Sequence, residues 1–278
     1  MTEEKNQTVP ILISKEGLTM IEGFLGRKKG CFILDTGTSN SILFMHPISN
    51  KSSQCEIRSY GKSKFGRKEE SSITILGKEI TKSFIVLPIN DIPYTFHQEI
   101  LGIIGVDVMR ENQLVIDYMH KEVHLNTTNT YAPPDEYHAK YSMSIGLQVY
   151  GVPIVTIAKE NDVACLIVDT GSISNIISSE AVIHGNFNYS LLEKQELLNF
   201  LGKDEIVEKI IMDYNIVSLT DDYICKLPYK EEFSMKISNG CLFQKENNFP
   251  LDGILGNLFM VKEKWILEKW RKKRFFVL

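Results

Sequence analysis

The sequence predicts a mostly β protein built from two related halves, and three observations lead there. An apolar run enters the same loop twice, at Cys31-Phe32-Ile33-Leu34-Asp35-Thr36-Gly37-Thr38 and at Cys165-Leu166-Ile167-Val168-Asp169-Thr170-Gly171-Ser172. Downstream of each copy lies a second shared segment, Leu101-Gly102-Ile103-Ile104-Gly105 and Asp252-Gly253-Ile254-Leu255-Gly256. Between these, short β-branched and aromatic runs are bounded by glycine-containing polar turns, the pattern of strands and hairpins. If Asp, Thr and Gly each make up roughly one residue in fifteen to twenty, one chance Asp-Thr-Gly in a chain this long is expected about one time in twenty. Two copies, each closing a strand-like run, are a repeat.

The repeat continues past the glycines without a gap. Met109 falls opposite Met260, Leu114-Val115-Ile116 opposite Trp265-Ile266-Leu267, and Asp117 opposite Glu268. A period of about half the chain is too long for a solenoid. It implies one ancestral unit, duplicated and fused, with residues 1–125 and 139–278 as the two copies. The polar, proline-containing stretch 126–138 reads as the linker between them.

Taken in order, the first copy opens with strands at Pro10 to Ile13, Leu18 to Phe24 and Cys31 to Leu34. Turns at Lys15-Glu16-Gly17 and Gly26 to Gly30 separate them. Asp35 then stands where a buried strand becomes a loop. Cys55 to Ser72 is polar and basic, and strands follow at Ile73 to Leu76 and Ile80 to Leu87 around a Gly77-Lys78 turn. Gly102 to Gly105 leads into a short helix, Val106 to Arg110, and then strands at Leu114 to Asp117 and Glu122 to Leu125.

The second copy restarts with strands at Tyr141 to Tyr150, Pro153 to Ala158 and Val163 to Val168. The spacing from Asp169 to Gly256 exceeds that from Asp35 to Gly105, so this copy carries an insertion. Ser190-Leu191-Leu192-Glu193 matches a capping box and predicts a helix from Leu191 to Phe200. Strands are expected at Ile206 to Val217, Asp222 to Leu227 and Phe233 to Ile237. Asn257 to Lys262, Trp265 to Leu267 and Arg274 to Leu278 then close the copy.

Composition bounds the rest. With 278 residues, 43% hydrophobic and 24% charged, the chain has the makeup of a soluble globular protein large enough for two small cores. A net charge of −4 argues against nucleic acid as the default partner. No apolar run approaches the roughly 20 residues that span a bilayer, and the first residues lack the order of a signal peptide. A cytoplasmic location is therefore expected. The five cysteines, an odd number, suit a reducing compartment better than a disulfide framework. Cys31 and Cys165 read as small core residues.

The two Asp-Thr-Gly-[Ser/Thr] loops and the two later glycine segments resemble the aspartic peptidases, and the resemblance covers most of the chain. The copies look shorter than pepsin-like lobes and longer than a retroviral protease subunit. The stretch Leu114 to Leu125 is similar to the end of bacterial retropepsin-like domains. The resemblance implies a bilobal acid-protease fold with a cleft between two β-barrel-like lobes. It also implies an endopeptidase with Asp35 and Asp169 as its two catalytic carboxylates. Hydrolysing an amide without a metal needs a base for water and an acid for the carbonyl oxygen. Two adjacent carboxylates supply both by sharing one proton.

The neighbours take roles by the same resemblance. Gly37 and Gly171 let each backbone pass close to the partner loop. Thr36 and Thr170 bond across the pseudo-twofold axis, and the hydroxyls of Thr38 and Ser172 bond the outer carboxylate oxygens. Gly105 and Gly256 are the packed glycines of the second motif. A glycine-containing hairpin closing over the substrate as a flap is expected, with Tyr60, Gly61 and Gly66 at its tip. The family's Asp-Tyr, present at Asp117-Tyr118, is replaced by Glu268-Lys269 in the second copy.

Other signals are weaker. His120 and His124 fall in a strand hairpin without a cysteine or third histidine nearby, so surface histidines are expected rather than a metal site. Lys269-Trp270-Arg271-Lys272-Lys273-Arg274 reads as a solvated turn rather than a nucleic-acid or membrane patch. No cofactor is implied. The expected partner is a peptide or protein substrate, bound by a monomer whose lobes pair within one chain. A binding module of the same fold, holding a peptide without efficient cleavage, is the alternative.

Overall fold

A computed structural model describes residues 8–45, 53–59, 62–88, 98–125, 152–160, 162–199, 202–219, 224–236, 251–268 and 276–277. The chain is mostly β, with three sheets and three short helices among these residues. After β1 (Thr8–Pro10), the first sheet contains β2 (Leu12–Ile13), β3 (Thr19–Leu25), β4 (Lys28–Leu34) and β5 (Ile42–Phe44). It is completed by β6 (Gln54–Ser59), β7 (Lys62–Ile75), β8 (Lys78–Leu87) and β9 (Ile100–Ile104). Helix α1 (Val106–Glu111) and strands β10 (Leu114–Asp117) and β11 (Glu122–Leu125) follow.

The second sheet begins with β12 (Ile154–Lys159), β13 (Asp162–Asp169) and β14 (Ile176–Ser178), then helix α2 (Ser179–His184). Next come β15 (Tyr189–Asn199), β16 (Gly202–Leu219), β17 (Ile224–Lys236) and β18 (Gly253–Gly256). Helix α3 (Asn257–Glu263) and strands β19 (Ile266–Glu268) and β20 (Phe276–Val277) end the described chain.

Strand order shows the repeat directly. The first sheet runs β2-β3-β4-β9-β5-β8-β7-β6, and the second runs β12-β13-β18-β14-β17-β16-β15. Apart from β2, every strand of one has its counterpart in the other. Extra pairings of β3 with β7 and of β12 with β16 curl each sheet back on itself, so both are barrel-like. A third sheet, β1-β11-β10-β19-β20, draws strands from both units. Its seam is the antiparallel pair of β10 and β19, with Asp117 opposite Ile266.

The strands that deliver the two aspartates each have a parallel partner. β4 lies parallel to β9, and β13 lies parallel to β18. Strands in such parallel pairs are covered on both faces and read as unbroken apolar runs. Phe32 and Leu34, like Leu166 and Val168, are fully buried. Turn chemistry fixes the neighbours: Leu76 and Gly77 both take positive φ, 49° and 68°, between β7 and β8. That is the backbone a two-residue hairpin turn needs.

The helix expected over Leu191 to Phe200 is instead strand β15, paired with β16 from Tyr189↔Met212 to Asn199↔Gly202. Register shifts fall between Leu191 and Glu193 and between Leu197 and Leu198. These irregularities interrupt the two-residue alternation, and the Leu191-Leu192 and Leu197-Leu198 doublets then imitate helical spacing. A real short helix lies upstream, where the Ser178 hydroxyl accepts from Ala181 N at 3.1 Å and caps α2. The strands expected at Asp222 to Leu227 and Phe233 to Ile237 form one strand, β17, running through Pro228 opposite Asn215. In the polar stretch from Cys55 to Ser72, the described residues 55–59 and 62–72 are strand too, in β6 and β7. The expected linker at 126–138, the strand at 141–150 and the basic turn at 269–274 lie outside the described residues.

Because Ser190 pairs in a ladder opposite Ile211 and caps no helix, Ser190→Ala is expected to change stability by less than about 0.5 kcal/mol. A helix cap at that position would lose about 1 kcal/mol. Urea unfolding of the two proteins distinguishes these outcomes.

Candidate active site

Asp35 and Asp169 arrive at the ends of equivalent strands and meet. A Cβ placed on Gly37 would lie 2.3 Å from Asp169 Cγ, and one on Gly171 would lie 2.3 Å from Asp35 Cγ. Each glycine backbone therefore rests against the other loop's carboxylate, and no side chain fits at either position. Within each loop the carboxylate turns back on its own backbone. Gly37 N donates to Asp35 Oδ1 at 2.8 Å, and Gly171 N donates to Asp169 Oδ1 at 2.8 Å.

Beneath the carboxylates the two threonines exchange hydrogen bonds. Thr36 Oγ1 donates to Val168 O at 2.7 Å and accepts from Thr170 N at 3.0 Å. Thr170 Oγ1 donates to Leu34 O at 2.6 Å and accepts from Thr36 N at 3.0 Å. Both side chains are fully buried. All four bonds cross from one unit to the other, so each loop is completed by its counterpart.

The hydroxyls of Thr38 and Ser172 depart from the expectation that they bond the carboxylates. Thr38 Oγ1 donates to Asn40 O at 3.4 Å, and Ser172 Oγ donates to Ser174 O at 3.0 Å. Nearby backbone carbonyls take these protons because the loop turns tightly there. The backbone amides of Thr38 and Ser172 reach the carboxylates in their place and favour the ionised forms.

Gly105 and Gly256 sit against the ends of these loops. A Cβ on Gly105 would meet Asn40 C at 2.8 Å and Thr38 O at 2.9 Å, and one on Gly256 would meet Ser174 O at 2.5 Å. Both have extended backbone, so close approach and not φ demands the glycine. The residue after each glycine anchors the loop: Val106 N donates to Thr38 O at 2.9 Å, and Asn257 N donates to Ser172 O at 2.7 Å.

Three supporting residues escaped the sequence reading. Ser41 Oγ accepts from Gly105 N at 2.9 Å and donates to Asp107 Oδ1 at 2.7 Å. At the equivalent place in the second loop, Asn175 Oδ1 accepts from Gly256 N at 2.9 Å. Ser41 and Asn175 lie at the same offset from their aspartates, which was the available signal. Their differing identities concealed it.

Charge on the pair is disfavoured. Both aspartates keep partial solvent exposure yet lie among dense surroundings, and burial is the largest cause raising each pKa. The neighbouring Asp169 charge and a hydrogen bond between the carboxyls raise Asp35 further, well above the ordinary carboxylate range. Both carboxyls are pushed up, and the two titrate as a unit that keeps a proton above the ordinary carboxylate range.

The flap residues are placed only in part. β6 and β7 form an antiparallel hairpin whose last pair is Ser59↔Lys62, and Tyr60 and Gly61 lie outside the described residues. Gly66 is not at the turn. It pairs with Cys55, and a Cβ there would meet Ile85 Cγ2 at 2.7 Å, so it serves packing against β8.

The histidines expected at the surface divide. His124 is 7% exposed, because β11 runs between β1 and β10, and burial pushes its pKa down. His120 is half exposed, with Nδ1 2.7 Å from Asp117 Oδ2, and that carboxylate raises its pKa. Ligand atoms of Asp117, Glu122 and His124 lie within 4.8 Å of one another. Asp117 also accepts from His120 N at 2.8 Å, so part of its capacity caps the hairpin turn.

Two outcomes follow for the loops. Thr170→Val removes the donor to Leu34 O and the acceptor of Thr36 N, leaving two buried groups unpaired, and should cost about 2–5 kcal/mol by denaturant unfolding. Asp35→Asn should raise the melting temperature near about pH 7.5 and leave it unchanged near about pH 3. Below the unfolded pKa both states hold the proton. Above the raised folded value the wild type carries a charge that burial disfavours, so its stability falls as pH rises through that value. Calorimetry at the two pH values reads the difference.

No protein-family model matches the chain, and no curated protein matches it.

Proposed function

We propose that this chain is an aspartic endopeptidase of bilobal acid-protease architecture, with its two catalytic carboxylates supplied by the two units of one chain. The observation that carries this reading is the mutual placement of Asp35 and Asp169. Each carboxyl is covered by the glycine of the other's loop, and burial together with the neighbouring Asp169 charge disfavours ionisation of Asp35. Such a pair keeps one proton at a pH where isolated carboxylates have lost theirs. The matching strand order of the two sheets and the sheet drawn from both units support the architecture.

In the proposed reaction a water molecule adds to the substrate carbonyl carbon. Asp169 takes a proton from the water while Asp35 gives its proton to the carbonyl oxygen, forming a neutral tetrahedral diol. Collapse breaks the C–N bond. Asp169 returns its proton to the leaving nitrogen, and Asp35 recovers one from the diol oxygen, which restores the starting protonation. Each carboxyl serves once as acid and once as base, and a pair with separated proton affinities suits that alternation. The Thr36–Thr170 exchange keeps the carboxyls from drifting apart during the cycle.

The test is cleavage of an unbiased peptide library between about pH 4 and about pH 8. Wild type, Asp35→Asn and Asp169→Asn are compared, with and without a statine-type transition-state analogue. Cleavage that disappears in both variants and is blocked by the analogue is the expected result. Cleavage that survives either substitution overturns the mechanism. A folded wild type that binds the analogue and cleaves nothing is a peptide-binding module of the same fold.

A further inference from the structure

The two units hold their catalytic loops differently. In the first, Val106 follows Gly105, and its side chain has no hydrogen-bonding group. The next residue, Asp107, turns inward to its own loop, accepting from Ser41 N at 2.9 Å and pairing with Lys82 at 2.9 Å. In the second, Asn257 follows Gly256, and Leu258 stands where Asp107 would be. Leu258 packs across the boundary, since a Cβ on Gly17 would lie 3.0 Å from its Cδ2.

Asn257 is fully buried and its side chain also reaches into the first unit. Its Nδ2 donates to Gly17 O at 2.6 Å. Its Oδ1 accepts from Tyr118 Oη at 2.5 Å and from Thr19 Oγ1 at 2.9 Å. Thr19 Oγ1 and Tyr118 Oη are themselves 2.9 Å apart. Thr19 is fully buried and Tyr118 is 4% exposed. Tyr118 holds α3 a second time, because its backbone N donates to Trp265 O at 2.9 Å just past the helix. Burial is the main cause raising the Tyr118 pKa, and the negative charge of Asp169 adds to it.

We infer that Asn257, with Thr19 and Tyr118, is a one-sided strut that positions the Asp169 loop against the first unit and thereby sets the spacing of the two carboxyls. The inference rests on the proposed dyad. Asn257 N fixes Ser172 O, in the loop that carries Asp169, while the side chain of the same residue is fixed by the other unit. One side chain thus couples loop position to docking of the units. Among the described residues the first loop has no equivalent, as Val106 offers only its backbone. A buried polar cluster with its partners in place is costly to disrupt and specifies a single arrangement. The hydrogen bonds of these side chains run to one another and to Gly17 O, not to the carboxyls, so their role is positioning.

Slackening the strut lets the carboxyls separate and admits water, and both effects weaken the causes that raise the pair's pKa. The experiment follows the side-chain carboxyl carbons of Asp35 and Asp169 by carbon-13 NMR titration, alongside kcat and KM. The proteins are wild type, Tyr118→Phe, Thr19→Val and Thr19→Ser. Tyr118→Phe and Thr19→Val should lower the upper titration step by about one pH unit. They should also reduce kcat about tenfold with little change in KM, as expected for misplaced catalytic groups. Thr19→Ser, which restores the hydroxyl, should behave as wild type.

Near-ultraviolet circular dichroism checks that each variant is folded, and Tyr118→Phe removes only one oxygen atom. A coupled wild-type titration that Tyr118→Phe leaves unmoved overturns the strut while leaving the dyad intact. Thr19→Ser behaving no better than Thr19→Val also overturns it, since packing alone would then explain the loss. Independent, ordinary titrations of the two aspartates in wild type overturn the dyad reading itself, and the strut with it.

Discussion

The structure depends on the exchange between Thr36 and Thr170. Each hydroxyl donates to the carbonyl of the residue before the other loop's aspartate and accepts the other threonine's amide. Docking the units removes these strand-end carbonyls and amides from water, and without the exchange they would be buried unpaired, a serious penalty in a dry interior. The two loops can therefore come together only in an arrangement that completes all four bonds. The carboxyl contact and the glycine approach are consequences of that constraint. The shared interior is continuous, with Phe32 and Leu34 of one unit in the same apolar cluster as Leu166 and Val168 of the other.

Much of this was legible because the chemistry repeats. β4 and β13 are sandwiched in parallel pairs, so burial on both faces wrote an unmistakable apolar run before each aspartate. β10 and β11 were readable to the residue because a short hairpin in the third sheet is bounded by polar turn residues. The site glycines were readable because a Cβ there would strike backbone or carboxylate. The rest was hidden where local pattern and tertiary pairing disagree. β15 carries irregularities that give its leucines helical spacing, and only its partner β16 makes it a strand. The strands expected on either side of Pro228 are one, since β17 continues through that residue opposite Asn215.

The misassigned hydroxyls of Thr38 and Ser172 have a different cause. Residue type says that a hydroxyl is present beside the aspartate but not which of several acceptors its single proton meets. The loop turns so tightly that the carbonyl two residues ahead is nearer to hand. The strut was illegible for a similar reason. Thr19, Tyr118 and Asn257 are far apart in sequence, and their meeting depends on how the units dock. The two units share a strand order. They differ at the pairs Val106-Asp107 and Asn257-Leu258, which follow the equivalent glycines.

The seam between β10 and β19 has a consequence for the order of events during synthesis. β10 ends at Asp117, and its partner across the seam begins at Ile266, about 150 residues later. While the ribosome is making those residues, the far edge of β10 has no strand to pair with. An open edge of apolar residues is a template for any other extended chain, including a second nascent copy. The threonine exchange is also unavailable then, because Thr170 waits for the fold that presents it. The interval between the two seam strands is when this molecule is most exposed to pairing with the wrong partner. Arrival of β19 ends that interval by covering the edge.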